Sequence, residues 1–246
     1  MKKKVKNWES DEILIIGHRG YPVKYPENTI VSFLMALKSG ADAVELDVYT
    51  SRDGIPIIAH DPVCKDIFGR EVTITKSSSK RLIGTPLSMG QCLPTLRDLL
   101  NSIPKETLLN IEFKHLKATD KVYKVIKKAS IFKEVLFSSF DIEALRRIKE
   151  IDKDSRIGLL LEDFSNLEEL INTAIKLEAF SFNLPIDEIN RIGKESFLDK
   201  LRRLKNKGFK VILWTVNDPS YLRILKGYIN GIITDEVEIM VSKLRR

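Results

Sequence analysis

The stretch Ala43-Val44-Glu45-Leu46-Asp47-Val48 alternates aliphatic and acidic side chains. Successive side chains of a strand point to opposite faces, so Glu45 and Asp47 share one face and Val44, Leu46 and Val48 share the other. Leu108-Leu109-Asn110-Ile111-Glu112-Phe113-Lys114 repeats the pattern, with Asn110, Glu112 and Lys114 opposite Ile111 and Phe113. An aliphatic face calls for helices packed over it. Both carboxylate faces then turn to a common interior.

On either side of these stretches, short β-rich runs alternate with segments of helical period. ILII (13–16) precedes TIVSFLMALKSG (29–40), AVELDV (43–48) precedes PTLRDLLNSI (94–103), and LLNIEF (108–113) precedes DKVYKVIKKAS (120–130). VLFSSF (135–140), RIGLLL (156–161), AFSFNL (179–184), KVILWTV (210–216) and GIIT (231–234) are each followed by a helical segment in the same way, making eight strand–helix units. Gly40, Gly208 and Gly227 fall where helices should stop, and Pro94 and Pro219 where they should start. Alternation of this kind implies parallel strands joined by right-handed crossovers, and eight units in 246 residues describe a closed (β/α)₈ TIM barrel, an α/β fold. A dinucleotide-binding open sheet is excluded, since no GxGxxG follows an early strand.

Residues 1–246 are therefore expected to form a single barrel domain, with residues 55–92 as an insertion after the second strand. That position places the insertion at the C-terminal face, where barrel active sites are built, and it reads as a lid or substrate wall.

The composition, 43% hydrophobic and 30% charged, suffices for a large core. The net charge of +7 is spread over the chain except at Lys2, Lys3, Lys4 and Lys6 and at Lys243, Arg245 and Arg246. With no aromatic-rich RNA motif interleaved, nucleic acid is not expected as a partner. Cys64 and Cys92 lack metal-type spacing, the apolar run Ile13–Ile16 falls short of the ~7–15 residues of a signal-peptide core, and no stretch reaches the ~18 consecutive apolar residues of a membrane span. A cytoplasmic protein with no transmembrane segment is expected, its oligomeric state left open.

Three carboxylates brought together repel one another unless a cation joins them or some protonate. All-oxygen donors point to a hard divalent cation, Mg²⁺ or Ca²⁺, with Mn²⁺ also admitted, held by Glu45, Asp47 and Glu112. Of the three histidines, His18 and His60 stand at strand exits and can supply a general acid and a general base. His115 has no such context and reads as a supporting or surface residue. Arg19 and Lys114 offer a planar fork and a compact ammonium to phosphate, so a small anionic, phosphate-like substrate is the expected partner. Two-carboxylate glycoside hydrolysis would leave these cations and histidines without roles.

The chain resembles the glycerophosphodiester phosphodiesterases. The resemblance is carried by His18-Arg19-Gly20, Pro26-Glu27-Asn28-Thr29, Glu45-Leu46-Asp47-Val48, Asp53-Gly54, His60-Asp61, Ile111-Glu112-Phe113-Lys114, Trp214-Thr215-Val216-Asn217-Asp218 and Gly231-Ile232-Ile233-Thr234-Asp235. It implies a metal-dependent barrel enzyme that cleaves glycerophosphodiesters to glycerol 3-phosphate and an alcohol. By that resemblance Glu45, Asp47 and Glu112 hold the cation, His18 and His60 exchange protons, Arg19 and Lys114 contact phosphate, and Trp214 lines the pocket. The chain departs from the family pattern at Tyr21-Pro22-Val23, Ser51, Lys65-Asp66-Ile67-Phe68-Gly69 and Glu236-Val237. Two other readings are a lysophospholipase D-like activity, with Ile67, Phe68 and Tyr21 forming an apolar groove, and a noncatalytic phosphate-binding barrel.

Overall fold

The computed structural model describes residues 6–245; Lys2, Lys3, Lys4 and Arg246 lie outside the described residues. The described chain begins with β1 (Leu14–Gly17), α1 (Ile30–Lys38) and β2 (Ala43–Thr50). There follow β3 (Pro56–Ile58), β4 (Val63–Lys65), β5 (Glu71–Thr73) and α2 (Ser79–Ile83), and then α3 (Leu96–Ser102), β6 (Leu108–Phe113), α4 (Thr119–Ala129), β7 (Val135–Ser139) and α5 (Ile142–Ile151). The second half runs β8 (Arg156–Leu160), α6 (Leu167–Lys176), β9 (Ser181–Pro185), α7 (Glu188–Ile192), α8 (Lys194–Asn206), β10 (Lys210–Trp214), α9 (Tyr221–Leu225), β11 (Gly231–Thr234) and α10 (Val237–Leu244).

β1, β2, β6, β7, β8, β9, β10 and β11 pair in that order, and β11 pairs back onto β1, all in parallel. This is the closed eight-stranded barrel the alternation requires. Its aliphatic faces lie under the helices: Val44, Leu46, Val48, Ile111 and Phe113 belong to the large cluster between strands and helices. The interior is divided by depth. Leu14, Ile16, Ala43, Leu108, Leu136, Ile212 and Ile233 fill the bottom together with Trp8, whose indole N–H donates to Glu134 O at 2.9 Å. The next inward residues toward the C-terminal ends are polar, which puts the hydrophilic part of the interior at the opposite end from this plug.

The helix boundaries have local causes. α3 begins behind Pro94 with a capping box, the Thr95 hydroxyl accepting from Asp98 N and the Asp98 carboxylate from Thr95 N. Gly40, Gly208 and Gly227 lie just beyond helix ends with φ of 102°, 91° and 88°. α7 was not foreseen in the sequence pattern: it is a short turn in which Arg191 pairs with Glu188, separated from α8 by Gly193 at φ 82°.

Residues 55–92 carry structure of their own. β3 extends the C-terminal end of β2 in antiparallel pairing, Val48 opposite Ile58 and Thr50 opposite Pro56. β4 and β5 form a hairpin, and Ile57, Ala59, Val72, Ile74, Leu82 and Leu93 make a separate small core beneath it. Among the described residues no helix is long and apolar enough to cross a membrane.

Candidate active site

The site lies at the C-terminal ends of the strands. Adjacent strands β2 and β6 are in register with Glu45 opposite Asn110 and Asp47 opposite Glu112. Ligand oxygens of Glu45, Asp47 and Glu112 lie within 4.8 Å of one another. Glu45 and Asp47 are 4% and 1% exposed, so the cluster is taken out of water almost completely.

Each carboxylate is oriented by neighbours. The Glu45 Oε2 atom accepts from the backbone N–H of Arg19 at 2.9 Å. Asp47 Oδ2 accepts from Asn28 Nδ2 at 2.9 Å, and Lys114 Nζ bridges Asp47 Oδ1 at 2.8 Å and Glu112 Oε1 at 2.5 Å. Burial, then the negative charges of Asp47 and Glu112, holds the Glu45 carboxyl well above the usual carboxylate range. Glu112 is raised by burial and Asp47. Asp47 goes the other way: burial opposes, but Lys114 and Arg19 hold it below the ordinary value. Lys114 is correspondingly raised, Asp47 and Glu112 outweighing its own burial. Three buried carboxylates against two cations, with Glu45 resisting ionisation, fit a hard divalent cation as the missing positive charge.

The loop after β1 builds one wall. Arg19 adopts φ 51° and Gly20 φ 92°, which turns the Arg19 N–H inward onto Glu45. A Cβ on Gly20 would lie 2.6 Å from Ser32 C and 2.8 Å from Phe33 N, so only glycine lets this loop rest on α1. The segment Pro26-Glu27-Asn28-Thr29, to which the sequence assigned no individual roles, now has three. Glu27 accepts from Arg19 Nη1 with both carboxylate oxygens at 3.0 Å, Asn28 orients Asp47, and Thr29 caps α1 by accepting from Ser32 N. Arg19 Nε faces Asp47 Oδ2 at 3.4 Å.

Both histidines reach the same cavity, of about 270 Å³, as do Arg19, Lys114 and Trp214. The Nδ1 atom of His18 lies 2.8 Å from Asp235 Oδ1, and Asp235 Oδ2 accepts from Asn217 Nδ2 at 2.8 Å. His60 Nδ1 lies 3.0 Å from the exposed Asp61 carboxylate. A carboxylate can only accept, so each neutral ring is set with Nδ1–H toward its partner and Nε2 bare. His115 stands apart from the cavity lining, its Nε2 accepting from Thr50 N at 3.5 Å and its ring against Tyr49 at 5.4 Å. Burial, then Lys117, holds it below the ordinary histidine value.

Some expectations are corrected. Of residues 55–92 only His60 lines the cavity, so the insertion delivers one side chain rather than a lid or wall. Tyr21 is 2% exposed in the core under the helices, and the exposed Ile67 and Phe68 are not in the cavity lining. The apolar wall is instead Phe140, Leu160 and Trp214, with Phe140 set edge-on to Trp214 at 6.1 Å. Asp235 and Asn217 were visible as motif members, but their contact with His18 carries no local signal.

Over residues 18–239 the chain matches the Glycerophosphoryl diester phosphodiesterase family. The glycerophosphodiester phosphodiesterase of Caldanaerobacter subterraneus subsp. tengcongensis is 31% identical, over 95% of this chain and 98% of its own. The structure of a Thermotoga maritima glycerophosphodiester phosphodiesterase superposes with a TM-score of 0.82 at 32% identity, covering 95% of this chain and 99% of the other. An Oleispira antarctica phosphodiesterase, in complex with its product sn-glycerol-3-phosphate, shares the fold at a TM-score of 0.80 and 24% identity, covering 98% of this chain and all of its own. The extent of the family match and the level of identity establish that the chain belongs to the glycerophosphoryl diester phosphodiesterase family of enzymes.

Proposed function

We propose that this chain hydrolyses glycerophosphodiesters to glycerol 3-phosphate and an alcohol, with His18 and His60 exchanging protons and Glu45, Asp47 and Glu112 holding a Mg²⁺ or Ca²⁺ ion. The observation that carries the reading is the convergence of both histidines, Arg19 and Lys114 on one cavity beside the carboxylate cluster. The neighbour of the same fold that binds sn-glycerol-3-phosphate supports it. Two free thiols, Cys64 and Cys92, are in keeping with a reducing compartment.

A cation held at the cluster would draw charge from a non-bridging phosphate oxygen. Arg19 and Lys114 add fixed positive charge on the same side, so charge developing on phosphorus-bound oxygen meets preset cations. The attacking oxygen is assigned to the glycerol hydroxyl next to the phosphoester, which is already tethered to phosphorus; oriented groups of this kind reach effective molarities of ~10⁵–10⁸ M. One histidine Nε2 takes the hydroxyl proton as the O–P bond forms. The other, protonated, gives its proton to the departing alcohol oxygen as the P–O bond breaks. Water then opens the cyclic phosphate with the two rings in exchanged roles.

His18→Ala and His60→Ala should each lower turnover by at least ~100-fold, the lower end of what a positioned acid or base contributes, and His115→Ala by far less. An essential His115 with a dispensable His60 would show that the proton-transfer pair is wrongly chosen. A substrate analogue lacking only the neighbouring hydroxyl should bind and turn over poorly. Equal turnover would replace the cyclic route by direct attack of water. No hydrolysis of any glycerophosphodiester with Mg²⁺, Ca²⁺ or Mn²⁺ would leave a noncatalytic phosphate-binding barrel.

A further inference from the structure

Half of the large apolar side chains exposed among the described residues belong to the insertion: Ile55, Val63, Ile67, Phe68, Ile83 and Met89 are six of twelve. Three of them stand on two tight turns. Between β4 and β5, Asp66 Oδ1 accepts from Phe68 N at 2.8 Å and Arg70 N at 2.9 Å, and Gly69 N donates to Asp66 O at 2.9 Å. This holds Ile67 and Phe68 at the tip, 55% and 70% exposed. In the second turn Leu87 N donates to Gln91 O at 2.7 Å around Met89, which is 67% exposed. Ile67 N donates to Pro86 O at 3.0 Å, so the two turns lie side by side. A Cβ on Gly69 or on Gly90 would meet no atom within 4 Å, as expected of turns that stand out from the surface. None of the three apolar side chains belongs to the small core beneath the hairpin or to the cavity lining, and clustered exposed apolar groups mark a contact surface.

Charge surrounds the tip. The Arg70 guanidinium lies 5.0 Å from the centroid of the Phe68 ring, and Arg70 and Arg81 line one surface groove with Pro86. Asp66 is taken up by the turn and by Arg70, and Glu71 faces Lys65 at 3.5 Å. Lys80 and Arg81 on α2 are exposed and have no ion-pair partner among the described residues. The shape and charge together select the occupant. A β-branched, an aromatic and a thioether side chain on projecting turns offer no flat face to a folded partner, whereas a fluid acyl layer accepts all three. Cations beside apolar tips meet anionic headgroups at the depth where those lie. Ile67 is seven residues beyond His60, so the tip is within ~25 Å of the cavity even at full extension.

We propose that the turns at 66–70 and 87–91 form an interfacial anchor that docks the barrel on a bilayer carrying anionic phospholipid. Ile67, Phe68 and Met89 enter the boundary between headgroups and acyl chains, while Arg70, Lys80 and Arg81 rest among the headgroups. The anchor goes beyond the hydrolytic reading and does not depend on it. Its tip is one of the segments at which the sequence departs from the family pattern, which makes it a feature of this chain.

The test is co-sedimentation of the full chain with unilamellar vesicles, of phosphatidylcholine alone and of phosphatidylcholine mixed with phosphatidylglycerol, with no diester present. The mixed vesicles should bind the chain and release it as salt is raised. Ile67→Ser combined with Phe68→Ser should lower partitioning at least ~10-fold, and Lys80→Gln combined with Arg81→Gln about as much at low salt. Both double variants should melt as the wild type does and hydrolyse a water-soluble diester at its rate. Phe68→Trp should keep the binding, and its emission should move to the blue on mixed vesicles. No binding to mixed vesicles at low salt, or binding that survives the two serines, overturns the anchor. So does a dimer, seen by sedimentation velocity in place of vesicle binding, that the serines dissociate, since the tip then joins two copies of this chain. A wild type that binds vesicles and hydrolyses no diester removes the phosphodiesterase reading and leaves the anchor standing.

Discussion

Asp235 Oδ1 lies 2.8 Å from His18 Nδ1, and this contact joins the last strand of the barrel to the first. Asp235 is itself held from the other side by Asn217 Nδ2. Burial opposes its ionisation, but the hydrogen bonds from His18 and Asn217 keep its carboxyl below the ordinary range, so it remains an acceptor. Asp235→Asn removes that guarantee, because an amide can donate to Nδ1 and turn the ring to the wrong tautomer. Turnover should fall by at least ~100-fold with a smaller change in KM, since Asp235 positions His18 and does not face the phosphate. Steady-state kinetics that leave kcat within twofold would show that His18 needs no such partner.

Glu112→Ala removes one of the three proposed cation oxygens and one of the two carboxylates that hold Lys114. Cation affinity, read by calorimetry, should drop by more than ~10–100-fold, the range already lost when an outer partner of a metal ligand is removed. Circular dichroism should stay that of a folded barrel. Full wild-type activity in excess chelator, with no metal retained on the protein, would dispose of the cation.

The raised carboxyl of Glu45 makes a pH prediction for the metal-free protein. A group whose folded value lies above its unfolded value, near ~4.3, keeps its proton longer in the folded state, so stability falls as pH rises through that window. Asp47, Asp120 and Asp235 are held below the ordinary range, are ionised in both states there, and add no slope. His115, held low, adds a slope of the opposite sign and cancels in a comparison with Glu45→Gln; Glu112, raised like Glu45, is relieved of the Glu45 charge in that variant and so adds to the difference in the same direction. In chelator, the Gln variant should therefore melt above the wild type at pH 7–8, with the gap closing toward pH 5 by at most ~1.4 kcal/mol per pH unit for each of these two carboxyls. A gap independent of pH would mean that Glu45 is ionised throughout.

Gly20→Ala tests the wall built by the β1 loop. A methyl group there meets Ser32 and Phe33 of α1 at a φ that L-residues avoid. Urea denaturation should show a loss of more than ~1 kcal/mol, and cation affinity should fall with it because the Arg19 N–H no longer points at Glu45. A variant as stable as wild type would show that the loop can rest elsewhere.

The parts of this molecule that were legible in its sequence are those governed by short-range periodicity. Glu45 and Asp47 share a face because strands repeat every two residues, and the eight units follow from the alternation of that period with the helical one. Asp235 and His18 are 217 positions apart, and no periodicity links them. Asn28 and Asp47 meet across 19 residues for the same reason. Tyr21 reads as a loop residue and is in the core because the Gly20 turn swings it under α1, where its N–H donates to Ser32 Oγ. Ile67 and Phe68 follow a strand exit, as a wall residue should, but the β4–β5 hairpin packs on its own core and carries them away from the cavity.

The seam at which β11 meets β1 has a consequence for synthesis on the ribosome. A nascent chain that has emerged through Lys114 already carries all three clustered carboxylates, His18 and His60, and Arg19 and Lys114. It still lacks β7 to β11 and, immediately after β11, the Asp235 carboxylate that meets the His18 ring. The His18–Asp235 pair can therefore form only late in translation, when β11 pairs with β1 and closes the barrel.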